Sequence, residues 1–447
     1  MNVLAPNSLS AVEAAKRIRE GWLSSEKLVT ACLNRIEETD GQLKAWAYVD
    51  REKALQQARE LDDLRFRGKP TGPLHGVPVG LKDIIDTADM PTERGSPVFA
   101  GRQTEEDARI VEALREAGAV ILGKTKTTEF AFMHPTDTVN PHDVNRTPGG
   151  SSSGSAAAVA GHQVPLAVGT QTNGSVIRPA SFCGVYGFKP SRGVIPRTGV
   201  LQTSKSLDQI GVFAREAEDV ALIADVLSGY DQRDNFSYPR ARPQIQKGWN
   251  TETPVEPDLI WIDLPHHDRL ASDAREGLEE VIEALGGRIE RFDGSENLGD
   301  LIHVQRTIHE YEIVQHMAET FDNHWDQVSD TLKPIVERGR AISEAQYEDA
   351  LNVQQSAIEY FEEFFNDYDA VLAPSAPGEA PLISDGGTGD PVFSTVWTTA
   401  GLPCLTMPLL VGANNLPIGV QLVGSADADD RLMRTAHWML KQLEISE

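Results

Sequence analysis

An α/β fold, with helices wrapped around a large sheet, is predicted by three features of the chain. Short apolar runs of the buried-strand type recur at Ala119-Val120-Ile121-Leu122, at 370–375 (AVLAPS) and at 420–424 (VQLVG). Between them lie longer stretches of helical character, among them 271–286, 300–322 and 342–367. Glycine and proline punctuate the joins. No internal repeat or low-complexity linker divides the chain, so one continuous domain over 1–447 is expected. Within it, an N-terminal helical segment (1–65) precedes a central core (70–230) and a helical region (265–370) on the substrate side.

The elements follow in order. Ser10-Ala11-Val12-Glu13 has the capping-box pattern, in which serine and glutamate satisfy the first free amides, and it opens a first helix. Leu28, Ala31, Cys32 and Ile36 share one face of a second, and 51–65 reads as a third. Through the 70s, Gly72, Pro73, Gly76, Pro78 and Gly80 forbid helix, while Val77, Val79 and Leu81 alternate as a strand does. A helix over 105–117 leads into the strand at 119–122. The AAAVA run after Ser155 starts another helix, and 207–229 holds a further one. Residues 230–256 turn polar and proline-rich, which predicts a surface excursion before a strand at 258–262.

Composition limits the function. Of 447 residues 40% are hydrophobic, enough for a large core. A formal charge of −26 argues against nucleic-acid binding, whose footprints are basic, and reads as a solubilising surface. Cys32, Cys183 and Cys404 are odd in number and far apart, which gives no disulfide framework. With neither a leader pattern nor a membrane-length apolar run, the cytoplasm is the expected address. Gly118 to Thr125 fits the phosphate-loop expression GxxxxGK[ST], but its four intervening residues are all apolar and belong to a strand. His309-Glu310 is followed by His316, which misses the HExxH spacing, so no metal is expected. His303, His309 and His316 are expected to decorate a helix lining or flanking the site, and His266-His267 a turn.

Residues 147–188 (TPGGSSSGSAAAVAGHQVPLAVGTQTNGSVIRPASFCGVYGF) narrow the chemistry most. Two serine-bearing, glycine-rich turns flank a small-residue run and a short apolar run. Glycine admits positive φ and lets other groups approach backbone amides. Gly150-Ser151-Ser152-Ser153-Gly154 matches the GxSxG nucleophile elbow, which would make Ser152 the nucleophile. That elbow needs a strand directly before it, and Arg146-Thr147-Pro148-Gly149 is a poor one. With Lys82 upstream in GVPVGLKD, the two turns suggest an acyl-transfer site that needs no histidine.

This arrangement resembles the amidase signature family, whose members cleave amides with a lysine, a serine in a cis peptide and a nucleophilic serine. The family's GGSSGGS turn stands here as Gly149-Gly150-Ser151-Ser152-Ser153-Gly154-Ser155, and its second turn as Gln171-Thr172-Asn173-Gly174-Ser175. The family's spacing of 24 between relay and nucleophile is met, since 175 − 151 = 24. The resemblance therefore implies Lys82 as base, Ser151 as relay and Ser175 as nucleophile. It extends to LKDIIDTADMPTERGSP (81–97), ILGKTKTTEFAF (121–132) and GLPCLTMPL (401–409). It also implies a large mixed twisted sheet covered on both faces by helices, no cofactor, a small amide as substrate, and a homodimer, common among relatives.

This sequence departs from the pattern at Asn173 and Ser153, where glycines are usual, and at Gln171, where many members carry aspartate. Arg178 follows Ser175 by three residues rather than two, which looks most like the malonamidase branch, where that arginine holds a substrate carboxylate. A guanidinium fork suits that task, although a buried structural arginine is an equal reading. Phe130, Phe132 and Met133 are candidates for an acyl pocket or for the core. The alternatives are the A subunit of a glutamyl-tRNA amidotransferase, working as a glutaminase, and a carbamate, ester or aryl-amide hydrolase of the same family.

The residue types support the chemistry. A serine hydroxyl is a poor nucleophile until a base takes its proton. Lysine can do so only when neutral, and lowering its pKa from about 10.4 to about 8 takes roughly 3 kcal/mol of ammonium destabilisation. Burial and inward-pointing amides can supply that. Asp83 is an awkward neighbour, but strand alternation points it to the opposite face. The amides of Thr172, Asn173, Gly174 and Ser175 are the expected oxyanion hole.

Overall fold

The computed structural model describes residues 5–264, 266–286, 289–294 and 298–446. Its strands are β1 (Trp46–Val49), β2 (Pro78–Lys82), β3 (Val120–Thr125), β4 (Leu166–Gln171), β5 (Tyr186–Lys189), β6 (Gln209–Ala214), β7 (Leu259–Asp263), β8 (Ile289–Asp293), β9 (Ala370–Pro374), β10 (Cys404–Val411) and β11 (Pro417–Val423). They make one 11-stranded sheet in the order β1-β3-β2-β4-β6-β5-β10-β11-β9-β7-β8. Pairings β2–β3, β2–β4, β7–β8 and β7–β9 are parallel, and the others are antiparallel. The sheet is therefore mixed, as expected.

Strands β2, β3, β4 and β6 are buried along their whole length, which requires cover on both faces. The alternation of side chains distributes them accordingly. Ile121 and Val168 face one core with α4 (Arg109–Glu116), α7 (Ala217–Leu227) and the C-terminal helix Asp429–Ser446. Val120, Leu122 and Ala167 face a second core with α2 (Ser25–Leu43), α3 (Arg51–Phe66) and α5 (Ser153–Ala160). The run Ala156-Ala157-Ala158 lets α5 approach closely. A Cβ on Gly154 would stand 2.1 Å from the Ala45 carbonyl oxygen. A third cluster joins Phe361 and Trp397 between the helices Leu301–His316, Glu344–Phe364 and Val392–Thr399.

Several sequence expectations needed correction. The first helix, α1 (Ala11–Glu20), is capped by Ser10, which accepts from the Glu13 amide at 3.2 Å, but Glu13 pairs with Arg17 instead of closing the box. The helix expected over 105–117 begins only at Arg109. Its first amides are taken by neighbouring loops, with Ala108 donating to Asp86 and Arg109 to Thr198. The segment 207–229 holds the expected helix at Ala217–Leu227, but a strand that the sequence did not announce precedes it. Ile210 and Val212 alternate with Gly211 and Phe213, and this strand is sandwiched between β4 and β5. The polar stretch 230–256 is not wholly superficial, because a short helix, α8 (Ile245–Trp249), buries Ile245 and brings Gly248 against the C-terminal helix. His267 opens a short 3-10 turn, with both His266 and His267 buried. Among the described residues no helix is long and apolar enough to cross a membrane.

The topology sets the site. Leu81 of β2 pairs with Val168 of the adjacent parallel β4, so Lys82 and Thr170 emerge together at the carboxyl ends of these strands. Open α/β sheets bind their ligands at that edge.

Candidate active site

Lys82 is fully buried, and its amine lies 2.7 Å from Ser151 Oγ and 2.8 Å from Thr170 Oγ1. No ion pair among the described residues involves it. Desolvation pulls its pKa down to about 7, against a weaker opposing pull from Asp208. Asp83 points away as expected: both its oxygens accept from the Glu93 amide at 3.2 Å, and its charge faces Lys124. Lys124 itself is buried and donates to the Ile85 carbonyl and Thr92 Oγ1, each at 2.6 Å, so the phosphate-loop lookalike is a structural strand.

Ser151 follows a cis peptide bond from Gly150. Gly149 sits at φ +86°, and a Cβ there would stand 2.7 Å from Pro179 Cα. Ser152, the elbow-type candidate, is buried and exchanges hydrogen bonds with the Thr170 main chain at 3.2 and 3.3 Å. No strand precedes it. Its hydroxyl is committed to holding the turn on β4.

The second turn, which carries Ser175, leaves the end of β4 just after Thr170, the residue bonded to Lys82. At 9% exposure Ser175 is more open than Lys82 or Ser151, and its hydroxyl has no partner among the described residues. The amides of Asn173, Gly174 and Ser175 likewise make no hydrogen bond among the described residues. Backbone donors inside proteins are almost always paired, so three in a row without a partner among the described residues stand out in this turn. Thr172 anchors the start of the turn, donating its hydroxyl to Asp208 at 2.5 Å. Gln171 closes it by accepting from the amides of Val176 and Ile177 at 2.8 and 3.0 Å.

For Arg178 the sequence leaves a substrate role and a structural role equally open. Arg178 is 4% exposed, and it donates to the Gly389 carbonyl at 2.6 Å, the Gly150 carbonyl at 2.6 Å and Thr388 Oγ1 at 3.1 Å. Its two terminal nitrogens are engaged mainly by main-chain oxygens, one of them belonging to the residue before Ser151, which favours the structural reading. Of the two readings open for Phe130, the structure takes the core one, with the ring fully buried between Phe99 and Phe321. Phe132 is half-buried with its ring 4.3 Å from that of His309, and Met133 is 43% exposed. His309 is buried beside Thr203, while His303 and His316 lie exposed on the same helix. The three cysteines are free and buried.

With this geometry in place, comparison with known proteins is decisive. A family model for amidases matches residues 27–433. The chain belongs to the amidase family. It is similar to the A subunit of the glutamyl-tRNA(Gln) amidotransferase from Natranaerobius thermophilus, at 33% identity over 98% of this chain and 96% of that protein. In structure it is similar to a protein described with an unexpected vestigial protein complex that reveals the origins of an s-triazine catabolic enzyme. That likeness has a TM-score of 0.91 and 27% identity, covering 97% of this chain and 98% of the other. It is also similar to a 6-aminohexanoate cyclic dimer hydrolase complexed with substrate, with a TM-score of 0.85 and 25% identity over 98% of each chain. These likenesses support the amidase family as a whole and do not single out a malonamidase-like branch.

Several residues around this amidase site were missed by sequence reasoning: Thr170, Asp208, Gln305, Thr395 and Thr398. Thr170 alone carried a signal, because it stands next to Gln171 at the end of an unrecognised apolar strand, LAVGTQ. The others arrive from distant helices and loops.

A neutral buried lysine costs stability wherever the unfolded chain holds the proton. The folded pKa is near 7 against an ordinary 10.5, so the unfolded state binds more protons between these values and stability rises with pH across that window. Lys82→Met is expected to raise the denaturation midpoint at neutral pH, with the advantage shrinking as pH climbs toward 10.5. Urea melts of both proteins across this range test it.

Proposed function

We propose that this chain hydrolyses small linear amides through an acyl-enzyme on Ser175, with Ser151 as the proton relay and Lys82 as the base. The observation that carries the reading is the buried Lys82 amine, its pKa pulled down to about 7, bonded to Ser151 at 2.7 Å. Neutral Lys82 takes the proton of Ser151 as Ser151 takes that of Ser175, and Ser175 Oγ adds to the substrate carbonyl. The amides of Asn173, Gly174 and Ser175 receive the developing oxyanion, a contribution worth about 3 kcal/mol per donor in comparable sites. Collapse breaks the C–N bond, the relay returns the proton to the leaving amine, and water then releases the acid by the same steps. Phe132, Met133 and His309 form the acyl side. Esters, carbamates and aryl amides share the tetrahedral intermediate and fall within reach of the same machinery.

A second reading makes the chain the glutaminase component of an amidotransferase, working with a partner chain. It is favoured by the 33% identity to such a protein over almost the whole chain. Against it, the turn reads TQTNGSVIR, where those components resemble SDTGGSIR. A homodimer is the oligomeric form proposed for the free hydrolase.

Ser175→Ala and Lys82→Ala are each expected to lower kcat by about a thousandfold or more. In the wild type, kcat/KM rises through an inflection near pH 7 to a plateau, because only neutral Lys82 can accept a proton. A rate flat from about pH 5 to about pH 9 would refute Lys82 as the base. In a panel of neutral and carboxylated amides, Arg178→Ala loses activity on both classes to within about threefold of one another, since its loss unpairs buried carbonyls rather than a substrate group. A loss confined to carboxylated amides would restore the clamp. Finally, the purified chain alone cleaves simple amides and elutes as a dimer, whereas glutaminase activity appearing only with an added partner would move the assignment to the amidotransferase.

A further inference from the structure

The turn bearing Ser175 is held from outside by two helices, and Asn173, where the family usually carries glycine, is the peg. Its Oδ1 accepts from Thr395 Oγ1 at 2.8 Å, and its Nδ2 donates to Gln305 Oε1 at 3.1 Å. Gln305 Nε2 donates to the Thr172 carbonyl at 3.2 Å, and Thr398 Oγ1 donates to the Asn173 carbonyl at 2.5 Å. Thr398 Oγ1 in turn accepts from Gln171 Nε2 at 2.9 Å. Gln305 lies on the helix Leu301–His316, and Thr395 and Thr398 lie on the helix Val392–Thr399.

The planarity of the peptide gives this arrangement its consequence. In a trans unit the carbonyl and the following N–H point in opposite directions within one rigid plane. Gripping the Thr172 carbonyl therefore aims the Asn173 amide, and gripping the Asn173 carbonyl aims the Gly174 amide. We propose that Asn173, through its side chain, and Thr398 are positioning residues that lock the two substrate-side helices to the turn and hold its unpaired amides converged on the developing oxyanion. This rests on the assignment of Ser175 as the nucleophile. Preorganised donors contribute to catalysis because they need no reorientation during the reaction. A glycine at 173 would leave the turn free to sample other backbone states and would leave Gln305 without its orienting partner.

A fluorophosphonate probe that phosphonylates the nucleophilic serine tests this without knowledge of the natural substrate. With wild-type protein, peptide mapping finds Ser175 labelled. Asn173→Gly and the near-isosteric Thr398→Val each lower the maximal inactivation rate roughly tenfold, the effect of one well-placed hydrogen bond. Half-saturating probe concentration stays within about twofold, because ground-state binding is untouched. Thr398→Ser, which keeps the hydroxyl, restores the wild-type rate. Thermal melts of all three variants show that each is folded, and Thr398→Val decides the matter if Asn173→Gly is not. Wild-type protein labelled at Ser175 together with an unchanged rate in Thr398→Val would overturn the positioning role alone, as would Thr398→Ser failing equally with Thr398→Val. A wild-type chain unlabelled at Ser175 would instead overturn the nucleophile assignment beneath it.

Discussion

The structure depends on one thermodynamically unfavourable choice, a lysine amine buried at the end of a central strand and bonded to hydroxyls instead of a carboxylate. Lys82 lies between Ser151 and Thr170, and burial is the largest influence on it. Removing an ammonium from water without a counter-ion is costly, and the group answers by surrendering its proton. That cost is what makes a reagent of an otherwise inert side chain. It is tolerable because the strands around it are covered on both faces by large apolar clusters. A smaller or half-open sheet would hydrate the amine and return its pKa to the ordinary range.

The same logic explains why the two serine turns are held so heavily from outside. Each turn must expose reactive groups, so neither can satisfy its own backbone. The first is braced by Arg178 on the Gly150 carbonyl, by Ser153 on the Gly149 carbonyl and by Ser152 on β4. The second is braced by Gln171, Gln305 and Thr398. In both cases carbonyls of the turn are tied down by side-chain donors. Polar side chains from remote elements perform work that a compact turn would normally do for itself.

Much of this was legible in the sequence, and the boundary has a physical cause. The lysine, both serines and the strand that carries Lys82 could be read because local patterns encode them: alternation in VPVGL, glycines at turns, and a fixed separation of the two serines. Helices α2 and α3 and the long helix Glu344–Phe364 were read from their periodicity. Strands β1, β4, β5, β8 and β10 were missed. LAVGTQ is buried on both faces, so it lacks the alternation that marks a half-exposed strand, and β6 was absorbed into a neighbouring helix for the same reason. Arg178 was read for its chemistry, as a fork suited to carboxylates. What decided its role was the presence of Gly389 and Gly150 oxygens within reach, and one of those lies more than two hundred residues away. Gln305, Thr395 and Thr398 are ordinary polar residues on helices, and only the tertiary fold reveals what they hold.

A chain of net charge −26 is an unpromising host for a neutral lysine, since every surrounding carboxylate favours the protonated form. Desolvation prevails because the surface charges act through water and salt, where fields decay over about 8 Å. The one carboxylate that exerts a resolved pull on Lys82 is Asp208, buried at 6% exposure. Its oxygens are already engaged by Thr172 Oγ1 and by the amides of Thr203 and Ser204 at 2.7 and 3.0 Å. The Arg197 guanidinium, paired with Asp234 at 2.7 Å and donating to the Asp208 carbonyl at 3.0 Å, adds positive potential on the same side. Burial raises the pKa of Asp208 against those hydrogen bonds, which weakens its claim to a full negative charge. The carboxylate binds Thr172 in the turn that carries Ser175, and its pull on Lys82 stays smaller than the effect of burial. A chain can therefore be acidic overall and still keep an amine neutral at its centre.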